Sequence, residues 1–324
     1  MWAAKGWRAS LCALLLAACS AAEQGTDGGA PDAGTPITPA DCLSDRGCTI
    51  PLVSAHRGLC AAEPENTLAA FASCEAAGVP MVEVDCRETA DGAVVIMHDS
   101  DVVRTTDGET RYPGRTEVAS LSLAEFEALV IDDPRCETDP DGQADRCHPP
   151  TLAALLEASS ERLLLDIDFK AGDPHTLAEV ILAHGAAGRV LFFDADTDSL
   201  LAYRERIPDG LVMPRAHEPA EFQALLDELG SELDLRWMHG DPTGIAEVAA
   251  VLDPHEVRLY LNSFESVDIW VVAAELLEDP EQKAGYLDRA WDALEQMRAE
   301  GADCFGTDFA AHYAAYLYPD GFGN

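Results

Sequence analysis

The chain has 324 residues, with 59 acidic against 21 basic side chains and a formal net charge of −38. So acidic a composition excludes nucleic-acid binding, which needs a basic footprint, and disfavours unaided docking on an anionic membrane. An anionic substrate would need local cations, from a metal or from basic residues in the site.

In chain order, Lys5 and Arg8 precede a short apolar run, Leu11 to Ala18. That run is too short to span a bilayer and fits a secretory h-region. It ends Leu16-Ala17-Ala18-Cys19, which resembles a bacterial lipoprotein processing site. Cleavage before Cys19 would leave a lipidated cysteine; ordinary signal cleavage nearby would leave Cys19 incidental. Residues 20–41 are rich in Gly, Ala, Asp, Thr and Pro and read as a flexible tether. The expected plan is a signal segment over 1–19, a tether over 20–41 and one folded domain over 42–324. It places the domain outside the cytoplasm, in a bacterial envelope, touching membrane only through the lipid anchor. No protein partner is implied.

Export makes the cysteines disulfide candidates. Setting Cys12 and Cys19 aside leaves Cys42, Cys48, Cys60, Cys74, Cys86, Cys136, Cys147 and Cys304. Cys42–Cys48 and Cys136–Cys147 are close in sequence, flank polar turn-like residues and are expected as local loops. Pairing among Cys60, Cys74, Cys86 and Cys304 is left open. No spacing suggests zinc.

Short apolar runs, each followed by a helical stretch, predict eight strands: Leu52–Ala55, Met81–Asp85, Ala93–Met97, Leu163–Ile167, Val190–Phe193, Leu233–Met238, Val257–Leu261 and Asp303–Gly306. Several are nearly all apolar, as buried parallel strands are. Helix starts are signalled by Asn66-Thr67 and Pro150-Thr151. Eight β-then-α units favour one closed (β/α)8 barrel over an open sheet. Polar residues then gather at the strand ends. They are His56 after strand 1, Glu83 and Asp85 at strand 2, His98 after strand 3, and Asp168 and Lys170 after strand 4. His239 and Asn262 follow at strands 6 and 7, and Asp308 after strand 8. This is the barrel's C-terminal mouth, where such enzymes place their chemistry. Glu83 and Asp85, at i and i+2, share one strand face and could share a divalent cation.

The ordered motifs carry a resemblance. His56-Arg57-Gly58, Pro64-Glu65-Asn66-Thr67-Leu68, Glu83-Val84-Asp85-Cys86-Arg87, Thr89-Ala90-Asp91-Gly92, Val95-Ile96-Met97-His98-Asp99, Arg104-Thr105-Thr106 and Gly306-Thr307-Asp308 resemble the glycerophosphodiester phosphodiesterases. The likeness covers almost all of residues 50–324, dense over 53–107 and thin over 185–300. It implies a metal-dependent hydrolase that releases glycerol 3-phosphate and an alcohol from a small phosphodiester. His56 and His98 would act as the acid–base pair. One divalent cation, Mg²⁺ or Ca²⁺, would be held by Glu83, Asp85 and Asp168, with Arg57 and Lys170 on the phosphate. Glu65 and Asn262 would hydrogen-bond these groups from behind. Asn66 reads as a helix cap, Asp166 as a buried, hydrogen-bonded carboxyl, and Trp237, Phe264 and Trp270 as core. His239, Asn262 and Asp308 are open between substrate contact and barrel-top structure.

Two departures stand out. The family usually has Glu-x-Lys at strand 4, where this chain has Asp168-Phe169-Lys170, as the spider-venom sphingomyelinase D enzymes do. At strand 7 the Trp that often precedes the Asn is missing. A phospholipase D-type enzyme acting on lysophospholipids is therefore the second reading. A non-catalytic phosphodiester-binding barrel is the third.

Overall fold

The computed structural model describes residues 37–59, 63–138 and 144–323. The expected signal segment, Cys19, Cys60 and most of the tether lie outside the described residues. The strands are β1 (Leu52–Ala55), β2 (Met81–Glu88), β3 (Val94–Ile96), β4 (Leu164–Ala171), β5 (Val190–Phe193), β6 (Leu211–Met213), β7 (Trp237–Gly240), β8 (Arg258–Asn262) and β9 (Ala302–Thr307). All but β3 run parallel, in the order β6-β5-β4-β2-β1-β9-β8-β7. The ring closes where the His239 amide donates to Pro214 O at 2.9 Å and the Ala216 amide to His239 O at 3.0 Å. The expected (β/α)8 barrel is the fold.

Two strand assignments need correction. The run at 93–97 is β3, which pairs antiparallel with the far end of β2 (Cys86↔Ile96, Glu88↔Val94). It stands outside the barrel ring, so His98 follows a hairpin rather than a barrel strand. The reason is connection length: the turn between β2 and β3 is far shorter than the dozen or so residues a parallel crossover needs. The fifth barrel strand is instead β6, three residues between Gly210 and Pro214. The strand expected at 233–238 also shifts forward, because Leu233 ends the helix Pro219–Leu233 and Asp234 caps it in the left-handed conformation.

Alternation along each strand sorts the apolar residues. Outward residues such as Val53, Val82, Val84, Leu165, Ile167, Phe192 and Leu261 pack under the helices. Inward residues at the strand starts, Leu52, Met81, Leu164, Leu191, Trp237 and Cys304, form a separate floor. The helix Pro39–Ser44 closes that floor with Cys42 and Leu43. Trp237 Nε1 donates to Leu43 O at 2.9 Å, and Arg258 donates to Cys42 O at 2.9 Å and to Ile50 O at 3.0 Å. Residues 39–41, expected in the tether, thus belong to the folded unit.

Both expected local disulfides form, Cys42–Cys48 and Cys136–Cys147. Cys74 is also disulfide-bonded, while Cys86 and Cys304 are free and buried. Thr67 and Thr151 cap the helices Leu68–Ala76 and Leu152–Ala158 through their side chains.

Candidate active site

Above the floor, the inward positions turn polar. Glu83 lies level with Asp166, and Asp85 with Asp168, across the β2–β4 ladder. Ligand oxygens of Glu83, Asp85 and Asp168 all fall within 4.8 Å of one another. Such crowding is costly. Glu83 is held well above the usual carboxylate range, first by burial and then by the charges of Asp85, Asp168 and Asp166. Burial also raises Asp168, against Lys170. For Asp85 burial is outweighed by Lys170, Asn66, His98 and Arg57, and its carboxyl sits below the usual range. Lys170 Nζ lies 2.5 Å from Asp168 Oδ2 and 3.2 Å from Asp85 Oδ1. Three hard oxygen donors with mutual repulsion fit one divalent cation.

The loop after β1 holds this cluster from one side. Arg57 has φ +54° and Asn66 φ +56°, left-handed values uncommon for residues other than glycine. The two are joined, the Asn66 amide donating to Arg57 O at 2.9 Å. This geometry delivers the Arg57 backbone amide to Glu83 Oε2 at 2.7 Å and Asn66 Nδ2 to Asp85 Oδ2 at 2.7 Å. Asn66 is therefore no helix cap; Thr67 is, and Asn66 holds a cluster carboxylate. Gly58, at φ +71°, lies where a Cβ would come within 2.7 Å of the Phe71 ring. The Arg57 guanidinium pairs with Glu65 at 3.1 Å and stands 3.6 Å from Asp85. Its Nε is buried without a hydrogen-bond partner.

Each histidine has its own carboxylate. His56 Nδ1 meets Asp308 Oδ1 at 2.7 Å, and Phe264 packs on its ring with centroids 4.7 Å apart. Phe264, expected in the core, is thus part of the site. His98 Nδ1 meets Asp99 Oδ1 at 2.6 Å. With Nδ1–H donating to the carboxylate, Nε2 is left to exchange a proton. Asp99 is pulled down to about 2, chiefly by its hydrogen bond from Arg104. Arg104 also forks onto Glu65 at 2.7 and 3.0 Å. Glu65 thereby links Arg57 to the His98 side through Arg104. Arg87 fixes the His98 carbonyl from the hairpin, at 2.7 and 3.1 Å. Asp308 was legible only as a strand-end residue; Asp99 and Arg104 were visible only within motifs.

One cavity opens at the mouth, lined by His56, Glu83, Asp166, Asp168, Phe193, Met213, Arg215, His239, Tyr260 and Asn262. His98 is not among the lining residues of this cavity. Asp166 is buried beneath, pushed up to about 7 mainly by that burial, and Ser54 Oγ lies 3.4 Å away. Burial first and the Arg215 charge second drop His239 to about 3. Arg215 was missed because the strand before it is only three residues long and no motif surrounds it. Glu65 lies behind Arg57, whereas Asn262 faces the cavity and bonds His239; it stands beside Gly306, where a Cβ would come within 2.4 Å of its Oδ1.

The sequence profile of the glycerophosphoryl diester phosphodiesterase family matches residues 56–227, just over half of the chain. Human glycerophosphodiester phosphodiesterase 1 is 35% identical over 129 residues, 39% of this chain and 36% of that protein. A glycerophosphodiester phosphodiesterase from Caldanaerobacter subterraneus is 48% identical over 58 residues, 18% of this chain and 24% of its own length. The matched stretches thus span about a third or less of these relatives. Among solved structures, a glycerophosphoryl diester phosphodiesterase from Parabacteroides distasonis superposes with TM-score 0.63 at 20% identity, covering 88% of this chain and 93% of that one. An Oleispira antarctica phosphodiesterase, solved with the product sn-glycerol-3-phosphate, gives TM-score 0.59 at 19% identity over 84% of this chain and 98% of its own. At these identities the structural likeness concerns the fold.

Proposed function

Because the chain belongs to the glycerophosphoryl diester phosphodiesterase family, we propose that it hydrolyses glycerophosphodiesters to glycerol 3-phosphate and an alcohol. The observation that carries this reading is the buried Glu83–Asp85–Asp168 cluster between two histidines, each oriented by a carboxylate. Glu83, Asp85 and Asp168 would hold one divalent cation, Mg²⁺ or Ca²⁺, which when bound neutralises nonbridging phosphate oxygens and polarises phosphorus.

The protein's own groups do the rest. Arg57, whose buried Nε makes no hydrogen bond, binds and orients the phosphate, and Arg is suited to forked recognition of it. Lys170, on the same face as Asp168, supplies a second positive charge. One histidine Nε2 takes the proton from the attacking hydroxyl as its oxygen bonds to phosphorus. The other histidine gives a proton to the departing alcohol oxygen. The attacking group is either water or the neighbouring glycerol hydroxyl, with water opening the cyclic phosphate afterwards. The Asp308 and Asp99 carboxylates hold each imidazole in the tautomer that leaves Nε2 free and stabilise it when protonated.

A panel of deacylated and lysolipid diesters, assayed with Mg²⁺ and with Ca²⁺, tests this. Turnover of glycerophosphodiesters supports it. Headgroup release from lysolipids alone would favour the phospholipase D-type reading, and no turnover of any diester would favour a binding barrel.

The envelope anchor at Cys19 is part of the same proposal. Its support is the Leu16-Ala17-Ala18-Cys19 run and the disulfides of the folded unit. Among the described residues no helix is long and apolar enough to cross a membrane. Cys19→Ser is expected to move the protein from the membrane to the soluble fraction, and unchanged fractionation would refute the anchor.

A further inference from the structure

The mouth has two cationic walls in different states. On one, Arg57 and Lys170 are engaged with Glu65, Asp85 and Asp168. On the other, Arg215 lines the same cavity from just beyond β6. In the ring order β6 lies four strands from β1 in either direction, so Arg215 stands across the barrel from His56. Among the described residues no carboxylate pairs with it, and its Nε is buried without a hydrogen-bond partner. Its guanidinium lies over the face of Phe193, with the guanidinium carbon 5.8 Å from the ring centroid. The carboxylates just beyond the flanking strands are occupied: Asp194 takes the Asp196 amide at 2.9 Å, and Asp241 takes His217 at 2.7 Å.

The other guanidiniums here that are at least half-buried and lack a carboxylate, Arg87, Arg189 and Arg204, donate to backbone carbonyls instead; among the described residues Arg215 does neither. The carboxylates of the same cavity have other partners, Glu83 the Arg57 amide, Asp166 Ser54 and Asp168 Lys170, and the remaining polar neighbours do not compensate it. His239 is neutral, with Nδ1 buried and unpartnered, and Asn262 carries no charge. A desolvated cation of this kind is stabilised by an anion brought in from outside.

We propose that Arg215 is a specificity-determining residue that receives a carboxylate or phosphate borne by the alcohol half of the substrate. This inference rests on the diester-hydrolase reading. The reacting phosphate belongs at the β2–β4 carboxylates, beside Arg57 and Lys170, and the glycerol half offers only hydroxyl groups. A second anion can therefore come only from the alcohol. A choline-type cation is disfavoured on the same wall, since the guanidinium repels it and already covers the Phe193 ring face that a cation would use.

Glycerophosphoserine and glycerophosphoethanolamine differ by one carboxylate, so the ratio of their kcat/KM values isolates recognition of that group. The ratio is measured with Mg²⁺ for the wild-type enzyme, Arg215→Met and Arg215→Lys, with thermal unfolding to show that each is folded. The wild type is expected to prefer the serine diester. Arg215→Met should lower the serine-to-ethanolamine ratio by about 10- to 100-fold, the value of a charge-assisted hydrogen-bonded pair. Arg215→Lys, which keeps the charge and loses the fork, should lower it by a smaller factor, and it carries the test if the Met variant does not fold. Equal losses on both substrates, an unchanged ratio, or a wild-type enzyme without the serine preference would overturn the assignment. Absence of turnover of either diester by the wild type would instead overturn the hydrolase reading on which it rests.

Discussion

Asn66 offers the sharpest test of how the site is held. Its side chain is 6% exposed and Asp85 is fully buried, so water screens their 2.7 Å hydrogen bond little. A hydrogen bond to a charged group is worth about 1.5–3 kcal/mol. The backbone at Asn66 is left-handed, φ +56°. Asn tolerates that conformation, whereas Ala pays about 1–2 kcal/mol for it. Gly adopts it freely but loses roughly 0.5–1 kcal/mol through the greater freedom of the unfolded chain. Asn66→Gly should therefore cost about 2–4 kcal/mol in urea unfolding with excess chelator, and Asn66→Ala about 0.5–1 kcal/mol more. Both should weaken divalent-cation binding by about 10- to 100-fold in calorimetric titration, as losses of groups that orient ligands do. Equal stability of the two variants would show that the left-handed backbone costs Ala no more than the entropy glycine loses, and would refute the strain assigned to it. Wild-type metal affinity in both would show that Asn66 does not support Asp85.

Three further outcomes are expected. His56→Ala and His98→Ala should each reduce turnover by about 10²–10⁴-fold without unfolding the protein, with Asp308→Asn and Asp99→Asn intermediate; more than about a tenth of wild-type turnover in either alanine variant refutes its acid–base role. Chelation should abolish activity and added Mg²⁺ or Ca²⁺ restore it; Asp168→Glu should retain metal binding and Asp168→Ala lose it sharply, so unchanged affinity in Asp168→Ala refutes the ligand set. His239 has a folded-state pKa of about 3, below its unfolded value of about 6.5. Its neutral burial is therefore fully stabilising above pH about 6.5 and is lost as pH falls toward 3, because the unfolded chain takes the proton first. Relative to His239→Gln, the wild type should lose up to about 1.4 kcal/mol per pH unit across that window. Parallel stability–pH curves would refute it.

What could be read from the sequence followed the range of the interaction. Glu83-Val84-Asp85 and Asp168-Phe169-Lys170 were legible because a strand's period of two fixes which side chains share a face, and the barrel register then sets Asp85 level with Asp168. The failures came where a local pattern was ambiguous. An apolar run such as Val94–Ile96 looks alike in a parallel strand and in a hairpin, and only the short turn before it tells them apart. Asn66 precedes a helix, as a cap does, and its left-handed backbone is invisible to composition. Other groups of the site are distant or isolated in sequence: Asp308 is 252 residues from His56, and Arg215 follows a three-residue strand without a motif. Sequence periodicity identifies groups that share a face on one strand. Pairings made by barrel closure depend on which strands lie opposite one another. The missed fifth strand therefore concealed Arg215, the half-buried cation that stands across the mouth from His56.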